Sequence, residues 1–172
     1  SADGTSITEV ASLVHDNTAV EHNSLCQVDS DTYVLAYTQG VDGDGFIKTF
    51  TISSDGATIT EVDELEHDTI KGTSNSIVQV DSDTYALAYS GNGAYDGYIK
   101  TFTIQSDGTS ITEVASLYHD TWTASSNSIV QVDSDTYAIA FGGTDSDGYI
   151  KTFTIQSDGS MGSTVISGDA GF

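Results

Sequence analysis

The chain contains no proline and no arginine, and it has one cysteine among its 172 residues. A single cysteine excludes an internal disulfide framework. Cys26 aligns with Val78 and Val130 in the sequence repeats described below, which indicates a small apolar core side chain. No stretch approaches 18 consecutive apolar residues, so the sequence predicts no membrane-spanning helix. Because neither a starting methionine nor a signal peptide is present, we expect a processed or excised piece.

Positively charged side chains are scarce. Four lysines face 26 acidic residues, 20 of them aspartate, and the formal net charge is -22. Such a surface repels phosphate backbones and anionic lipids, which argues against nucleic-acid binding and membrane insertion. Cations, or salt that screens the self-repulsion, are the expected companions. From this composition we expect an extracellular or cell-surface location.

Comparison of the sequence with itself reveals three near-copies of a unit of roughly 52 residues. The segment GTSITEVASL at 4–13 recurs letter for letter at 108–117, and GYIKTFTIQSDG at 97–108 recurs at 148–159. We therefore expect a single all-β repeat domain over residues 1–172. The three repeats and a degraded fourth start are, in order, 3–54, 55–106, 107–158 and 159–172.

Each copy divides into four short segments with the composition of β-strands, separated by turn residues. The segments read TSITEVASLYH, SIVQV, TYALAY and GYIKTFTI. The Asp-Gly pairs at 55–56 and 107–108 lie between two such segments and predict type I′ hairpin turns. The register that follows places Ile52 opposite Ile59 and Ile104 opposite Ile111.

Three of the four lysines, Lys48, Lys100 and Lys151, occupy one repeat position. The predicted register places Lys48 opposite Asp63 and Lys100 diagonal to Glu113, within cross-strand reach. We interpret these lysines as members of a recurring lysine–carboxylate pair. A catalytic lysine is the alternative.

Units of this length with four antiparallel strands are typical of β-propeller blades, and propellers usually close with four to eight blades. The chain begins with a spare strand at 5–15 and ends with a poor one at 163–166. This order favours a homodimer formed by strand exchange, in which two chains complete a six-bladed ring. A fragment of a longer array is an alternative. A β-trefoil also has three repeats of four strands, but the Gln-x-Trp motif common in trefoil lectins is absent.

The phrase SIVQVDSDTYALAY followed by DGYIKTFTI resembles the acidic units found in long tandem arrays of presumed surface proteins. The resemblance covers residues 3–159. It implies a modular β-propeller-like array, and with it the reading of the chain as part of a longer protein. The resemblance implies no particular activity.

A His-Asp pair recurs at the end of each TSITEV-type segment, at His15, His67 and His119. Neighbouring residues of a strand point to opposite faces, so an adjacent histidine and aspartate do not form a catalytic dyad by themselves. We interpret the pairs as structural ties between strands and turns. Ligand binding in each unit is the functional alternative, and a metal site requires the three histidines to meet at an axis.

Aspartates at alternate positions in loops offer the hard oxygen ligands that Ca²⁺ prefers. The best candidates are Asp42 with Asp44, and Asp145 with Asp147. None of these loops has the full EF-hand pattern. Aspartate, serine and glycine are also ordinary turn residues, so a plain turn competes with a calcium site.

Three aromatic residues, Tyr95, Tyr118 and Trp122, have no counterpart in the other copies and lie where the repeats diverge. They are our candidates for stacking on a sugar ring or anchoring a partner. Neutral divergence of a loop explains them equally.

No nucleophile-elbow, metalloprotease or phosphate-loop motif occurs in the sequence. We therefore predict a non-catalytic extracellular repeat module with a structural or multivalent adhesion role. A Ca²⁺-dependent carbohydrate-binding lectin is the first alternative. A glycosidase-type enzyme is the second, because the spacing of paired carboxylates cannot be read from sequence.

Overall fold

The computed structural model of the protein describes residues 6–40 and 42–162. Within these ranges eleven strands form three separate sheets, each an antiparallel meander in chain order. Sheet 1 contains β1 (Val20–Gln27), β2 (Thr32–Gln39), β3 (Asp44–Ile52) and β4 (Ile59–Asp68). Sheet 2 contains β5 (Thr73–Gln79), β6 (Thr84–Ser90), β7 (Gly97–Ile104) and β8 (Ile111–Asp120). Sheet 3 contains β9 (Ser125–Gln131), β10 (Thr136–Gly142) and β11 (Gly148–Thr154).

The protein is therefore all-β, as the sequence predicts. One helical turn, α1 (Asn92–Tyr95), and a 3-10 turn at Thr144–Ser146 lie in equivalent loops of sheets 2 and 3. No sheet closes on itself within the described ranges, so the closed β-trefoil is not the arrangement that these residues adopt.

The predicted hairpin register is confirmed beside the turn, where Ile52 pairs with Ile59. Further from the turn a β-bulge in β4 adds one residue, and Lys48 then pairs with Glu64 instead of the predicted Asp63. Sheet 2 has a bulge at the same place in its β7–β8 ladder. A strict two-residue alternation does not reveal such an insertion, which explains the error of one position.

The turn itself differs from the predicted type I′. Gly56 and Gly108 have positive φ angles of 72° and 76°, but Asp55 does not, whereas a type I′ turn requires both central residues to do so. The Gly56 amide donates to the Ser53 carbonyl at 2.7 Å, and the Ser53 amide donates to the Thr58 carbonyl at 3.0 Å. The loop is therefore a wider turn in which glycine alone takes the left-handed conformation.

The N-terminal segment is not the strand that the sequence predicts at 5–15. Residues 6–19 form no strand, although they lie against sheet 1. In sheets 1 and 2 the matching segments pair with the preceding GFIKTFTI or GYIKTFTI strand, whereas no strand pairs with residues 6–19 among the described residues. The weak strand predicted at 163–166 lies outside the described residues.

The three sheets stack face to face, and the core lies between them. Between sheets 1 and 2, residues of β2 and β3 such as Val34 and Ile47 pack against Leu87 and Phe102. Between sheets 2 and 3, Ala86, Ala88 and Ile99 pack against Ile129, Ile139 and Phe153. Successive residues of β6 thus face opposite neighbours, which explains why this strand is buried on both sides.

Candidate functional site

Two of the three His-Asp pairs lie at the joints between sheets, and the first lies where the N-terminal segment contacts sheet 1. His67, at the end of β4, is 3% exposed, and its ring packs edge-on against Tyr89 of sheet 2 with centroids 4.7 Å apart. His119 packs in the same way on Phe141 of sheet 3, at 4.8 Å. His15 packs on Tyr37 of sheet 1, at 4.9 Å. Each histidine therefore contacts the sheet that follows it in the chain.

The recurring lysine binds the same joint from the other side. Its ammonium donates to the carbonyl of the histidine, at 2.7 Å from Lys48 to His15 and at 2.6 Å from Lys100 to His67. Lys151 repeats this hydrogen bond to the carbonyl of His119, at 2.6 Å. Lys100 and Lys151 thereby connect two sheets, and Lys48 connects the N-terminal segment to sheet 1.

Carboxylates complete the charge balance of each joint. The predicted pair of Lys100 with Glu113 is present at 2.9 Å. Lys48 contacts Glu61 at 3.2 Å and Glu64 at 2.9 Å. In the third joint the partner is different, because Lys151 contacts Asp120 at 3.0 Å. The lysine–carboxylate motif is thus general, but the acidic partner changes from copy to copy.

The buried histidines are electrically neutral near pH 7. Burial and, to a smaller extent, the charge of the neighbouring Lys100 lower the pKa of His67 to about 3. Burial and then Lys151 lower the pKa of His119 to about 4. Neither ring nitrogen of His67 has a hydrogen-bond partner. A buried imidazole that does not reach its aspartate is poorly suited to general-base catalysis.

In two of the three pairs the aspartate bonds to a tyrosine instead of the histidine. The Tyr89 hydroxyl donates to Asp68 at 3.1 Å, and the Tyr37 hydroxyl donates to Asp16 at 3.3 Å. Burial raises the pKa of Tyr89, and the Asp68 charge raises it further. Burial alone would raise the pKa of Asp16. The hydrogen bonds that Asp16 accepts from Thr18 and other groups outweigh burial and lower this pKa to about 2.

Glycines allow the histidine rings to approach the sheet closely. A Cβ added to Gly45 would overlap the His67 ring, and one added to Gly97 would overlap the His119 ring. The third equivalent, Gly148, has no atom within 4 Å of such a Cβ. The first two positions of this kind are filled by a histidine ring, whereas no described residue fills the position over Gly148.

The candidate calcium ligands do not converge. Asp42 is exposed, and Asp145 occupies a left-handed turn position with φ of 59°. The Asp147 amide donates to the Thr144 carbonyl at 3.2 Å, closing the turn that holds Asp145. Asp44 begins β3. No group of three or more histidine, cysteine or acidic side chains suited to a metal occurs among residues 6–40 and 42–162.

The repeated VDSDT turns use their aspartates to bond the local backbone. Asp81 accepts a hydrogen bond from the Ser82 amide at 2.8 Å, and Asp133 accepts one from Ser134 at 2.8 Å. These turns lie at one end of the stack together with the Asp-Gly turns. That end carries the aspartates Asp29, Asp31, Asp55, Asp81, Asp83, Asp107, Asp133, Asp135 and Asp158.

The three unmatched aromatic residues lie at the opposite end of sheet 2. Trp122 is 70% exposed, and Tyr95 and Tyr118 are each 48% exposed. The Tyr118 hydroxyl accepts a hydrogen bond from Tyr98 at 2.6 Å, and Lys71 lies 3.2 Å from the centre of the Tyr95 ring. We call Tyr95, Tyr98, Tyr118 and Trp122 the aromatic end. Sequence reasoning missed Tyr98 because it matches Tyr149 in the third copy, and it missed Lys71 because its contact with Tyr95 joins two separate loops.

The outer face of sheet 1 contains an apolar recess of about 150 Å³. Leu25, Tyr33 and Phe50 line it from the sheet, and Leu13 and His15 line it from the N-terminal segment. The recess lies on the face that sheets 2 and 3 bury against the sheet before them.

No protein-family model matches the chain, and no curated protein matches it significantly. Among the described residues, the longest helix is the four-residue α1, and none has the length and apolarity needed to cross a bilayer.

Proposed function

We propose that the chain is a β-propeller-like module whose three sheets are blades of one stack. The first strands of successive sheets, β1, β5 and β9, lie closest to one another, and the fourth strands β4 and β8 contact each other less. Sheets that diverge from a common inner edge in this way are characteristic of propeller blades. The repeated joint at His67 and His119 supports one rotation repeated from sheet to sheet.

We infer that the module is non-catalytic and acts in structure or multivalent adhesion. The carrying observation is that one histidine–lysine joint recurs three times, with the chemistry-bearing side chains directed between sheets. The variable loops then form the surface available to partners. Equivalent weak sites on several blades bind cooperatively only when they are presented together, which suits an extracellular or cell-surface array.

Density-dependent adhesion tests this function. Beads coated with the chain at increasing density are passed over immobilised extracellular polysaccharide and over a protein matrix. We expect retention to rise steeply with density while the soluble chain competes poorly. Retention that follows the affinity of the soluble chain at every density would contradict multivalency and indicate a single strong pocket.

A carbohydrate-binding function is the second candidate, and the aromatic end favours it. Exposed tyrosine and tryptophan rings offer flat apolar surfaces for sugar stacking, and Asp96 and Asp120 lie beside them as hydrogen-bond acceptors. Trp122→Ala is the test variant, and Ile70→Ala, at the same repeat position in the loop between β4 and β5, is its matched control. Binding on a glycan array that only Trp122→Ala abolishes would select this function.

Chelation and turnover separate the remaining alternatives. If calcium holds the ligand, EDTA abolishes glycan binding and calcium restores it beyond the effect of sodium at equal ionic strength. If the protein is a glycosidase, it releases sugar, and one aspartate substitution stops the release without reducing glycan binding. A chain that shows adhesion but neither effect retains the structural and adhesive role.

A further inference from the structure

We propose that the outer face of sheet 3 and the open edge of β11 bind sheet 1 and the N-terminal segment of a second copy of this chain. The contact repeats the joint that already exists between sheets 1 and 2 and between sheets 2 and 3. The inference rests on the proposed stack of sheets and on no ligand. For clarity, the N-terminal segment here means residues 6–16.

The edge of β11 has the sequence that accepts such a segment. Residues 148–159 are identical to 97–108, which contain β7, and residues 4–13 are identical to 108–117, which contain most of β8. The β7–β8 ladder is therefore a ladder between these two sequences. Among the described residues, β11 pairs with β10 on one side and has only the isolated bridge of Ile155 with Met161 beyond it.

The N-terminal segment already occupies the position of a strand from a preceding sheet. His15 contacts Tyr37 and Lys48 of sheet 1 in the way that His67 contacts Tyr89 and Lys100 of sheet 2. Since β4 belongs to sheet 1 and reaches sheet 2 at its end, residues 6–16 belong to a sheet that would lie before sheet 1. In this position their apolar side chains lack a sheet, and Ile7 is fully exposed where Ile111 is 9% exposed.

The outer face of sheet 3 is the matching half of the contact. Ile150 is 72% exposed, whereas Ile47 and Ile99, at the same repeat position, are completely buried by the next sheet. Val132 is likewise 61% exposed, and its counterpart Val28 is 8% exposed. An exposed apolar face that is buried in every internal copy predicts a partner with the shape of the next sheet.

The outer face of sheet 1 is the other half of the proposed contact. Leu25 is 61% exposed, whereas its counterparts Ile77 and Ile129 are buried against the preceding sheet. The apolar recess bordered by Leu25 and Tyr33 lies on this face. Among the described residues, no sheet covers this face of sheet 1, and none covers the outer face of sheet 3. Such a contact is head-to-tail, and two chains joined twice would place six sheets in a ring.

The internal joints also give the atomic details expected for the new contact. Transferred from β7–β8, the register pairs Gly148 with Asp16, Ile150 with Leu13, and Thr154 with Thr8. The His15 ring of the second copy then lies over Gly148, as the His119 ring lies over Gly97.

The first experiment measures mass. Analytical ultracentrifugation of the full chain in 0.3 M NaCl is expected to show a species of about twice 18.0 kDa, or a ladder of multiples if the ring stays open. Ile150→Lys, a substitution at an exposed side chain, is expected to leave a folded species of one chain mass. A wild-type chain that stays at 18.0 kDa at 100 µM, or a mass unaffected by Ile150→Lys, would overturn the proposal.

Gly148→Ala gives a finer test, with Gly97→Ala as its matched comparison. An added methyl group meets no atom at Gly148 within one chain but overlaps the His119 ring at Gly97. In a chain that does not self-associate, we expect Gly148→Ala to leave the melting temperature unchanged. In the wild-type background we expect the same substitution to weaken self-association at least tenfold. Self-association unchanged by Gly148→Ala would contradict the position proposed for the His15 ring.

A disulfide experiment tests register and partner together. In a Cys26→Val background, ¹⁵N-labelled Thr8→Cys chains are mixed with unlabelled Thr154→Cys chains and oxidised mildly. A mixed-isotope dimer is expected, because the pair corresponds to Thr112 and Thr103 of adjacent strands. Thr152→Cys in place of Thr154→Cys is two residues out of register and is expected to cross-link several-fold less.

The outcomes separate this proposal from the stack on which it rests. Equal cross-linking of both pairs would overturn the register, and no mixed dimer would indicate that β11 pairs within its own chain. A monomer in which Lys100→Met still strongly destabilises the fold would retain the stack and overturn only the contact between copies. Loss of that destabilisation would instead count against the stack.

Discussion

At the scale of single residues, the histidines of this protein act through their shape and lack of charge. His67 fills the space above Gly45 and against Tyr89, where a charged ring would be surrounded by apolar atoms and by the Lys100 ammonium. Burial of a charge in such a place is costly, so the folded protein keeps the ring neutral. Because only the unfolded chain takes up a proton at this residue, that proton uptake lowers the free energy of unfolding.

We predict that part of the stability is lost as the pH falls from 6.5 towards 3. The folded pKa of His67 is about 3, below its ordinary 6.5, so in this window only the unfolded state binds the proton. Stability from this residue is complete above pH 6.5 and decreases with acidification. The measurement is the free energy of unfolding in urea at pH 7.5, 6.0 and 5.0, for wild type and His67→Gln.

The difference in acid sensitivity between wild type and His67→Gln reports on the histidine alone. Protonation of the carboxylates relieves their mutual repulsion equally in both proteins. We expect a shallower acid decline in His67→Gln than in wild type. His22→Gln, at an exposed position, serves as the control and should retain the wild-type slope. Parallel slopes for wild type and His67→Gln would contradict the burial of an uncharged imidazole.

The joint lysine is predicted to matter far more than the loop lysine. Lys100→Met keeps the length of the side chain but removes its bonds to the His67 carbonyl and Glu113. Loss of a charge-assisted hydrogen bond at a mostly buried position costs about 2–3 kcal/mol. Lys71→Met removes a contact with the Tyr95 ring and is expected to cost about 0.5–1 kcal/mol. Urea unfolding at pH 7.5 compares them, and equal costs would contradict the assigned role of the joint.

At the scale of elements, the Asp-Gly turn of each hairpin also contacts the neighbouring sheet. The Thr49 hydroxyl of sheet 1 donates to the Gly108 carbonyl of the sheet 2 turn at 2.7 Å, and Thr101 donates to Gly159 of sheet 3 at 2.7 Å. The turn thus has two requirements: a left-handed glycine and room for a threonine from the sheet before it.

Gly108→Ala is predicted to fail both requirements. A left-handed alanine costs about 1–2 kcal/mol, and its Cβ would lie 3.1 Å from the Thr49 side chain. Gly40→Ala shares the positive φ but has no atom within 4 Å of the added Cβ, so it measures the backbone cost alone. We expect Gly108→Ala to unfold at lower urea than Gly40→Ala. The reverse order would show that the neighbouring threonine has room to move.

Strand positions and hairpin pairings were predictable because they depend on alternation and turn residues that lie close in sequence. The bulge in β4 was not predictable. Its inserted residue, Val62, continues the same alternation of residue types as its neighbours. The N-terminal strand was predicted from residues identical to part of β8, yet a strand needs a partner as well as a sequence. The local sequence pattern indicates that a segment can form a strand. The strand forms only where a neighbouring backbone is available to pair with it.

The site was predictable in its residue types but not in its geometry. Recurrence singled out His67 and Lys100, and the alternation rule correctly separated the histidine from its aspartate. The facing partner could not be inferred, because Tyr89 lies on another sheet and the stacking order is absent from any local pattern. The unmatched residue Trp122 was found by comparing repeats, whereas Tyr98 was hidden because Tyr149 matches it in the third copy.

At the scale of the whole molecule, the net charge of -22 opposes any association of two copies. We predict that the fraction of paired chains and the melting temperature both rise as NaCl increases from 20 to 500 mM. Salt shortens the range of repulsion from about 20 Å to a few ångströms, while the apolar contact at Ile150 is insensitive to screening. Sedimentation equilibrium and thermal unfolding measure the two effects.

Dissociation on adding salt would contradict this prediction and would indicate an interface held by ion pairs. Ile150→Lys provides the internal control. Its melting temperature should still rise with salt, because repulsion within one chain is screened as well, but its mass should stay constant.

The joint at His67 recurs at His119, so neighbouring sheets are connected in the same way each time. Duplication or deletion of one 52-residue stretch of gene leaves both terminal surfaces unchanged and requires no new contact to evolve. Natural variants of such a protein should consequently differ in length by whole multiples of this period, with breakpoints tolerated at any equivalent codon.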